Sequence, residues 1–76
     1  MPKVNLKFLA SFRELAGADS LVAEADTPEQ ALRALGLYDA IMEKTPLVAI
    51  NHEVTDMDMP LKDGDEVAFL PPMTGG

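Results

Sequence analysis

Cysteine is absent from this 76-residue chain. That leaves no disulfide framework, no Cys-ligated zinc or iron–sulfur cluster and no thiol nucleophile. A small ferredoxin is excluded, and so is a carrier that holds a persulfide on its own cysteine. Cations are scarce too: six Lys and Arg stand against thirteen Asp and Glu, a formal net charge of −7. The acidic residues are scattered rather than run together, which argues against a disordered acidic tail. Such a surface repels phosphate backbones, so nucleic acid is not an expected partner. It suits a protein with a basic face, and it also keeps a small domain in solution. No apolar run approaches the ~20 residues of a membrane span, and Met1-Pro2-Lys3-Val4 opens no apolar leader. The chain therefore reads as cytoplasmic, with no membrane partner. Its length fits one domain with a thin core, since folding at this size buries only about 60% of the unfolded surface.

Hydropathy alternation predicts a first strand over Lys3–Leu9, with Val4, Leu6 and Phe8 inward. Leu9 falls on the outer face and breaks the pattern. Ser11 and Glu14 have capping-box spacing and Gly17 can stop a helix, which predicts a single short turn. Leu21–Glu24 reads as a second strand, antiparallel to the first. Thr27-Pro28-Glu29-Gln30 starts the main helix, with an N-cap threonine, proline at N1 and Gln30 reaching back to the cap. Ala31, Leu32 and Leu35 form its apolar face, and Gly36 ends it. Asp39 is expected to cap a brief turn through Met42. Leu47–Asn51 is a continuously apolar strand expected at the sheet centre. Asn51-His52 can adopt positive φ and turn the chain into Glu53-Val54-Thr55. Lys62-Asp63-Gly64-Asp65 is a tight turn into the last strand, Glu66–Leu70, with Val67 and Phe69 inward. The order is α+β, a mixed sheet of about five strands packed on one main helix with short helical turns.

Few side chains suggest catalysis. His52 is the only histidine and lies at a turn without a second ligand. Asp56, Asp58, Asp63 and Asp65 lack the alternating register of a calcium loop, so no metal site is expected. Ser11 and Ser20 have no base placed by any motif, and Gly17 and Gly36 form no phosphate loop. Met57 and Met59 read as gap fillers. The informative segment is the end: Leu70-Pro71-Pro72-Met73-Thr74-Gly75-Gly76. Two prolines terminate the strand, and a backbone without Cβ atoms at Gly75 and Gly76 could enter a narrow channel. Alternation also sets Leu9 and Leu70 on the face away from the helix. Val54 joins them there, depending on the turn at Asn51-His52. Such an apolar cluster is an interface candidate.

Val4–Ala10, Phe12-Arg13-Glu14-Leu15-Ala16-Gly17, Leu47–Asn51, Pro60–Phe69 and the closing Pro71-Pro72-Met73-Thr74-Gly75-Gly76 resemble the small subunits of molybdopterin synthase. These belong to the ThiS/MoaD group of ubiquitin-like sulfur carriers. The Leu61-Lys62-Asp63-Gly64-Asp65-Glu66-Val67 turn recurs across sulfur-carrier relatives. The early Arg-Glu-Leu helix together with the Pro-Pro-x-x-Gly-Gly ending is the sharper combination, which thiamine-pathway carriers typically lack. Thr27–Pro46 looks shorter than usual, which implies an abbreviated main helix, and His52 stands where the family often has glycine. The resemblance implies a β-grasp domain over residues 1–70, a flexible Gly-Gly tail over residues 71–76, and no active site of its own. It implies further that Gly76 accepts adenylate and then sulfur, with Gly75 and Thr74 completing the delivering tail. ATP would be consumed by an E1-like adenylating enzyme, with no cofactor bound to this chain, and a sulfur donor protein would supply the sulfur. The large subunit would bind Leu9, Val54 and Leu70 and present cyclic pyranopterin monophosphate. A thiamine-pathway carrier, a ubiquitin-like protein modifier and a plain interaction domain remain alternatives.

Overall fold

The computed structural model describes residues 1–72. Among them the chain order is β1 (Lys3–Phe8), α1 (Ser11–Ala16), β2 (Ser20–Glu24), α2 (Pro28–Ala34), α3 (Tyr38–Met42), β3 (Leu47–Ile50), β4 (Glu53–Thr55) and β5 (Glu66–Leu70). The strands form one mixed sheet in the order β2-β1-β5-β3-β4. β1 and β5 run parallel, and every other neighbouring pair is antiparallel. The expectation that β3 occupies the centre is corrected: β5 does, between β1 and β3. The run has apolar residues on both faces, Val48 beside Phe69 toward the helices and Leu47 beside Leu70 on the other, so its continuity does not mark the centre.

Alternation in β1 and β5 produces the core directly. Val4, Leu6 and Phe8 meet Val67 and Phe69 on one face, where Phe8 and Phe69 stack with ring centroids 5.6 Å apart. The helices roof this face with one or two buried side chains each: Phe12 from α1, Leu32 and Ala31 from α2, and Ile41 from α3. α2 is the longest of the three and spans only seven residues. Helices this short have little stability of their own, so packing against the sheet holds them.

The helix ends show where local signals win and where they lose. At α2, Thr27 accepts from the Gln30 N–H at 3.2 Å, and the Gln30 side chain accepts from the Asp26 N–H at 3.1 Å, one residue before the expected cap position. Its C-terminus is a Schellman motif. Gly36 sits at φ 72°, its N–H donates to Arg33 and the Leu37 N–H donates to Leu32. Gly17 likewise ends α1 in the left-handed region. The Ser11–Glu14 capping box does not form: Ala10, at φ 54°, is the N-cap and Ser11 is already helical. The ladder bond from Leu9 N–H to the Phe69 carbonyl holds the chain extended until Leu9, so the turn into α1 is made at Ala10. Asp39 does not cap α3 either, because Leu37 occupies that position without a side-chain bond.

Asn51 and His52 adopt φ values of 51° and 73°, the double positive φ of a two-residue hairpin with a type I′ turn. The hairpin fixes the register of β4 on β3, pairing Ile50 with Glu53 and Ala49 with Val54.

Candidate functional site

β5 is the strand from which the C-terminus departs, and its start is tightly fixed. The Asp65 carboxylate accepts from the Lys62 N–H at 2.8 Å and from the Asn51 amide at 2.9 Å. The Asn51 side-chain carbonyl accepts from the Glu66 N–H at 3.0 Å, while the Asn51 N–H donates to the Glu66 carbonyl at 2.8 Å. The Lys62 backbone bond, followed by the Asn51 amide, holds the Asp65 carboxyl below its ordinary value. Two turns remote in sequence are thereby locked together beside the first residue of β5. A one-residue slip of a strand would exchange its two faces, and this network holds the register against it.

Downstream, β5 is laddered on both sides until Leu70, where Pro71 and Pro72 end donation. The expectations for Thr74, Gly75 and Gly76 lie outside the described residues.

The sheet face away from the helices carries the second element of the site. Register places Leu47 directly opposite Leu70, and it aligns Lys7, Ala68, Ala49 and Val54 in the adjacent row. Leu9 follows Phe8, whose partner is Phe69, so the next step of the same parallel register brings Leu9 alongside Leu70. Leu9 and Val54 are 41% and 66% exposed, and Leu70 is half-buried. The expected trio thus shares one face, and the hairpin register settles the position of Val54. Sequence reading missed Leu47 and Ala49, which together with Ala68 bridge Leu70 to Val54. β3 was read as continuously apolar, and only its antiparallel pairing with β5 shows which of its residues face outward. Lys7 and Glu66 form an ion pair at 3.5 Å on the margin of this patch. Toward the β2 edge, Val22 is also exposed, but Asn5 and Glu66 stand between it and the cluster.

This arrangement offers an apolar face suited to binding. Among the described residues no group of three or more His, Cys, Asp or Glu could hold a metal ion, and His52 is exposed at the hairpin tip. What the geometry provides is a hydrogen-bonded platform, an apolar face and a chain leaving the central strand at Pro71.

Comparison with known proteins agrees with this reading. The model of the ThiS family matches residues 6–76. The molybdopterin synthase sulfur carrier subunit of Escherichia coli is 42% identical, covering 96% of this chain and 99% of the relative. Among solved structures, small archaeal modifier protein 1 from Methanosarcina acetivorans superposes with a TM-score of 0.80 at 26% identity, covering 100% of this chain and 98% of that one. The complex of subunits 1 and 2 of molybdopterin-converting factor from Helicobacter pylori contains a chain matching with a TM-score of 0.60 at 26% identity, covering 97% of this chain and 99% of its own. With a ubiquitin-like sheet, a match over nearly its whole length and close relatives that are sulfur carrier subunits, the chain belongs to the ThiS family.

Proposed function

We propose that this chain is the sulfur carrier subunit of molybdopterin synthase, acting in the cytoplasm, with residues 1–70 as docking domain and residues 71–76 as delivering tail. The observation that carries the reading is the 42% identity to a sulfur carrier subunit across 96% of the chain. The exit of the terminus from the laddered central strand supports it.

The chemistry suits a carrier with no cysteine. On an E1-like activating enzyme the Gly76 carboxylate attacks ATP, forming an acyl-adenylate and releasing pyrophosphate. The persulfide of a sulfur donor protein displaces AMP to give an acyl disulfide. A thiol then reduces this, leaving the thiocarboxylate. Its sulfur attacks a carbon of cyclic pyranopterin monophosphate in the large subunit and displaces an oxygen leaving group. Water then cleaves the thioester between carbonyl and sulfur, leaving the sulfur on the precursor and regenerating the Gly76 carboxylate. Pro71–Gly76 spans at most about 20 Å when extended, enough to enter a buried site while the Leu9, Val54 and Leu70 face remains docked outside.

Intact-mass spectrometry tests the assignment. With activating enzyme, ATP and sulfur donor, one terminal oxygen should be exchanged for sulfur, and deletion of Gly76 should abolish the exchange without altering the circular dichroism. Sulfur found elsewhere, or none under conditions that charge a known carrier, refutes it. The likeness to small archaeal modifier protein 1 favours a second reading, in which the activated Gly76 acylates lysines. That reading predicts isopeptide-linked adducts instead of sulfur delivered to the precursor. A thiamine-pathway role would be marked by transfer to thiazole synthesis rather than to the large subunit.

A further inference from the structure

The open-face interface does not account for the outer edge of β4. Because Asn51-His52 is a two-residue turn, Ile50 and Glu53 are the hydrogen-bonded pair and Ala49 and Val54 the non-hydrogen-bonded one. The Val54 N–H and C=O therefore point away from β3, and among the described residues neither has a backbone partner outside the strand ladders. β4 is also an edge strand, three residues long, and it carries no lysine and no proline to block pairing at Val54. Beside it lies a cavity of about 350 Å³ lined by Ile50, Glu53, Val54, Met59 and Pro60 together with Asn51 and Thr55. Met59 and Val54 are both exposed. The bay has a mixed lining, apolar at Ile50, Val54, Met59 and Pro60 and polar at Asn51, Glu53 and Thr55, with no cationic side chain in it. Glu53 lines it, and Asp56 and Asp58 belong to the loop between its two walls.

We propose that this bay receives an extended segment of the protein partner, which adds a strand to β4 through the Val54 N–H and C=O. An apolar side chain of that segment lies against Met59 and Pro60, and a basic side chain lies near Glu53. Val54 belongs both to the open face and to this edge, so the added strand continues the docking surface around the side of the sheet. Strand addition gives affinity through the main chain and specificity through alternate side chains. The acidic surround selects a basic segment. The inference rests on the large subunit being the partner.

The test uses the purified large subunit and compares Val54→Pro, which removes the outward N–H, with Val54→Ala, which keeps it. Val54→Pro should weaken the complex tenfold or more. Val54→Ala should lose several-fold less than that, and in the wild-type complex the Val54 amide should exchange at least tenfold more slowly than in the free protein. Glu53→Lys should weaken binding at low salt and less so at high salt. Equal losses for the Pro and Ala variants would show that only the side chain is read and would overturn strand addition. So would an unslowed Val54 amide, a measurement on wild type that stands even if Val54→Pro fails to fold. Sulfur transfer from charged wild type, measured in parallel, separates this outcome from failure of the carrier assignment.

Discussion

Neighbouring residues Phe69 and Leu70 should respond oppositely to the same substitution. Phe69 is 0% exposed and stacked on Phe8, so Phe69→Asp removes a ring from the core and leaves a carboxylate there. Truncating a buried Phe costs about 3–5 kcal/mol, and an unpaired buried charge adds several more. A domain of this length has about 4–11 kcal/mol of stability in total, at roughly 0.05–0.15 kcal/mol per residue. Phe69→Asp should therefore unfold. Leu70→Asp instead places its carboxylate on the open face, where water reaches it. The folded state loses the cross-strand contact with Leu47, worth about 0.2–1 kcal/mol, plus a strand-propensity penalty of up to about 1 kcal/mol. It should stay folded, with Tm lowered by about 4–8 °C per kcal/mol lost. Docking should suffer far more: a central apolar anchor contributes about 2 kcal/mol or more, so affinity for the large subunit should fall at least about thirtyfold. Circular dichroism reads the fold and titration calorimetry the complex. If both variants unfold equally, the two faces of β5 are misassigned. If Leu70→Asp binds as wild type does, the open face is not the docking surface.

Gly75→Val should block sulfur transfer while leaving affinity for the large subunit within about threefold, and transfer at the wild-type rate would refute a narrow channel for the tail. The Asp65 carboxyl titrates below the ordinary aspartate value when folded, because the Lys62 N–H and the Asn51 amide donate to its ionised form. Its stabilisation is thus complete above the unfolded pKa and lost as pH falls below it through the folded value; acid unfolding of Asp65→Asn should show a weaker pH dependence in that window. His52 sits at φ 73°, a region costing a non-glycine residue roughly 1 kcal/mol. His52→Gly should therefore raise Tm, partly offset by greater freedom of the unfolded chain, and a lower Tm would mean that the imidazole makes a compensating contact.

Period-two patterns exposed the faces of β1 and β5 correctly, because each strand has one side in the core and one in water. The same pattern was silent for β3, where Val48 and Ala49 are both buried, and so it misplaced that strand at the centre. Strand order depends on pairing between β1 and β5 at opposite ends of the chain, which no local window contains. Gly36, Thr27 and the Asn51-His52 turn were legible because their conformations are dictated by their own chemistry. Ser11 and Asp39 failed as caps because tertiary placement of the preceding residues, Ala10 and Leu37, decided where each helix begins. The cross-link from Asn51 to Asp65 was hidden for the same reason: each side chain is an ordinary turn residue until the sheet brings the two turns together.

The parallel pairing of β1 with β5 has a mechanical consequence for a protein handled by its tail. A pull on the C-terminus acts along β5, which is bonded on one side to β1 and on the other to β3. The load is carried in shear, so bonds in both ladders must yield together rather than open one by one as they would at a peeling edge strand. On the proposed delivery by the tail, withdrawing it from a tight-fitting site should dislodge the docked face well before it unravels the domain, which would leave the molecule able to return for another load.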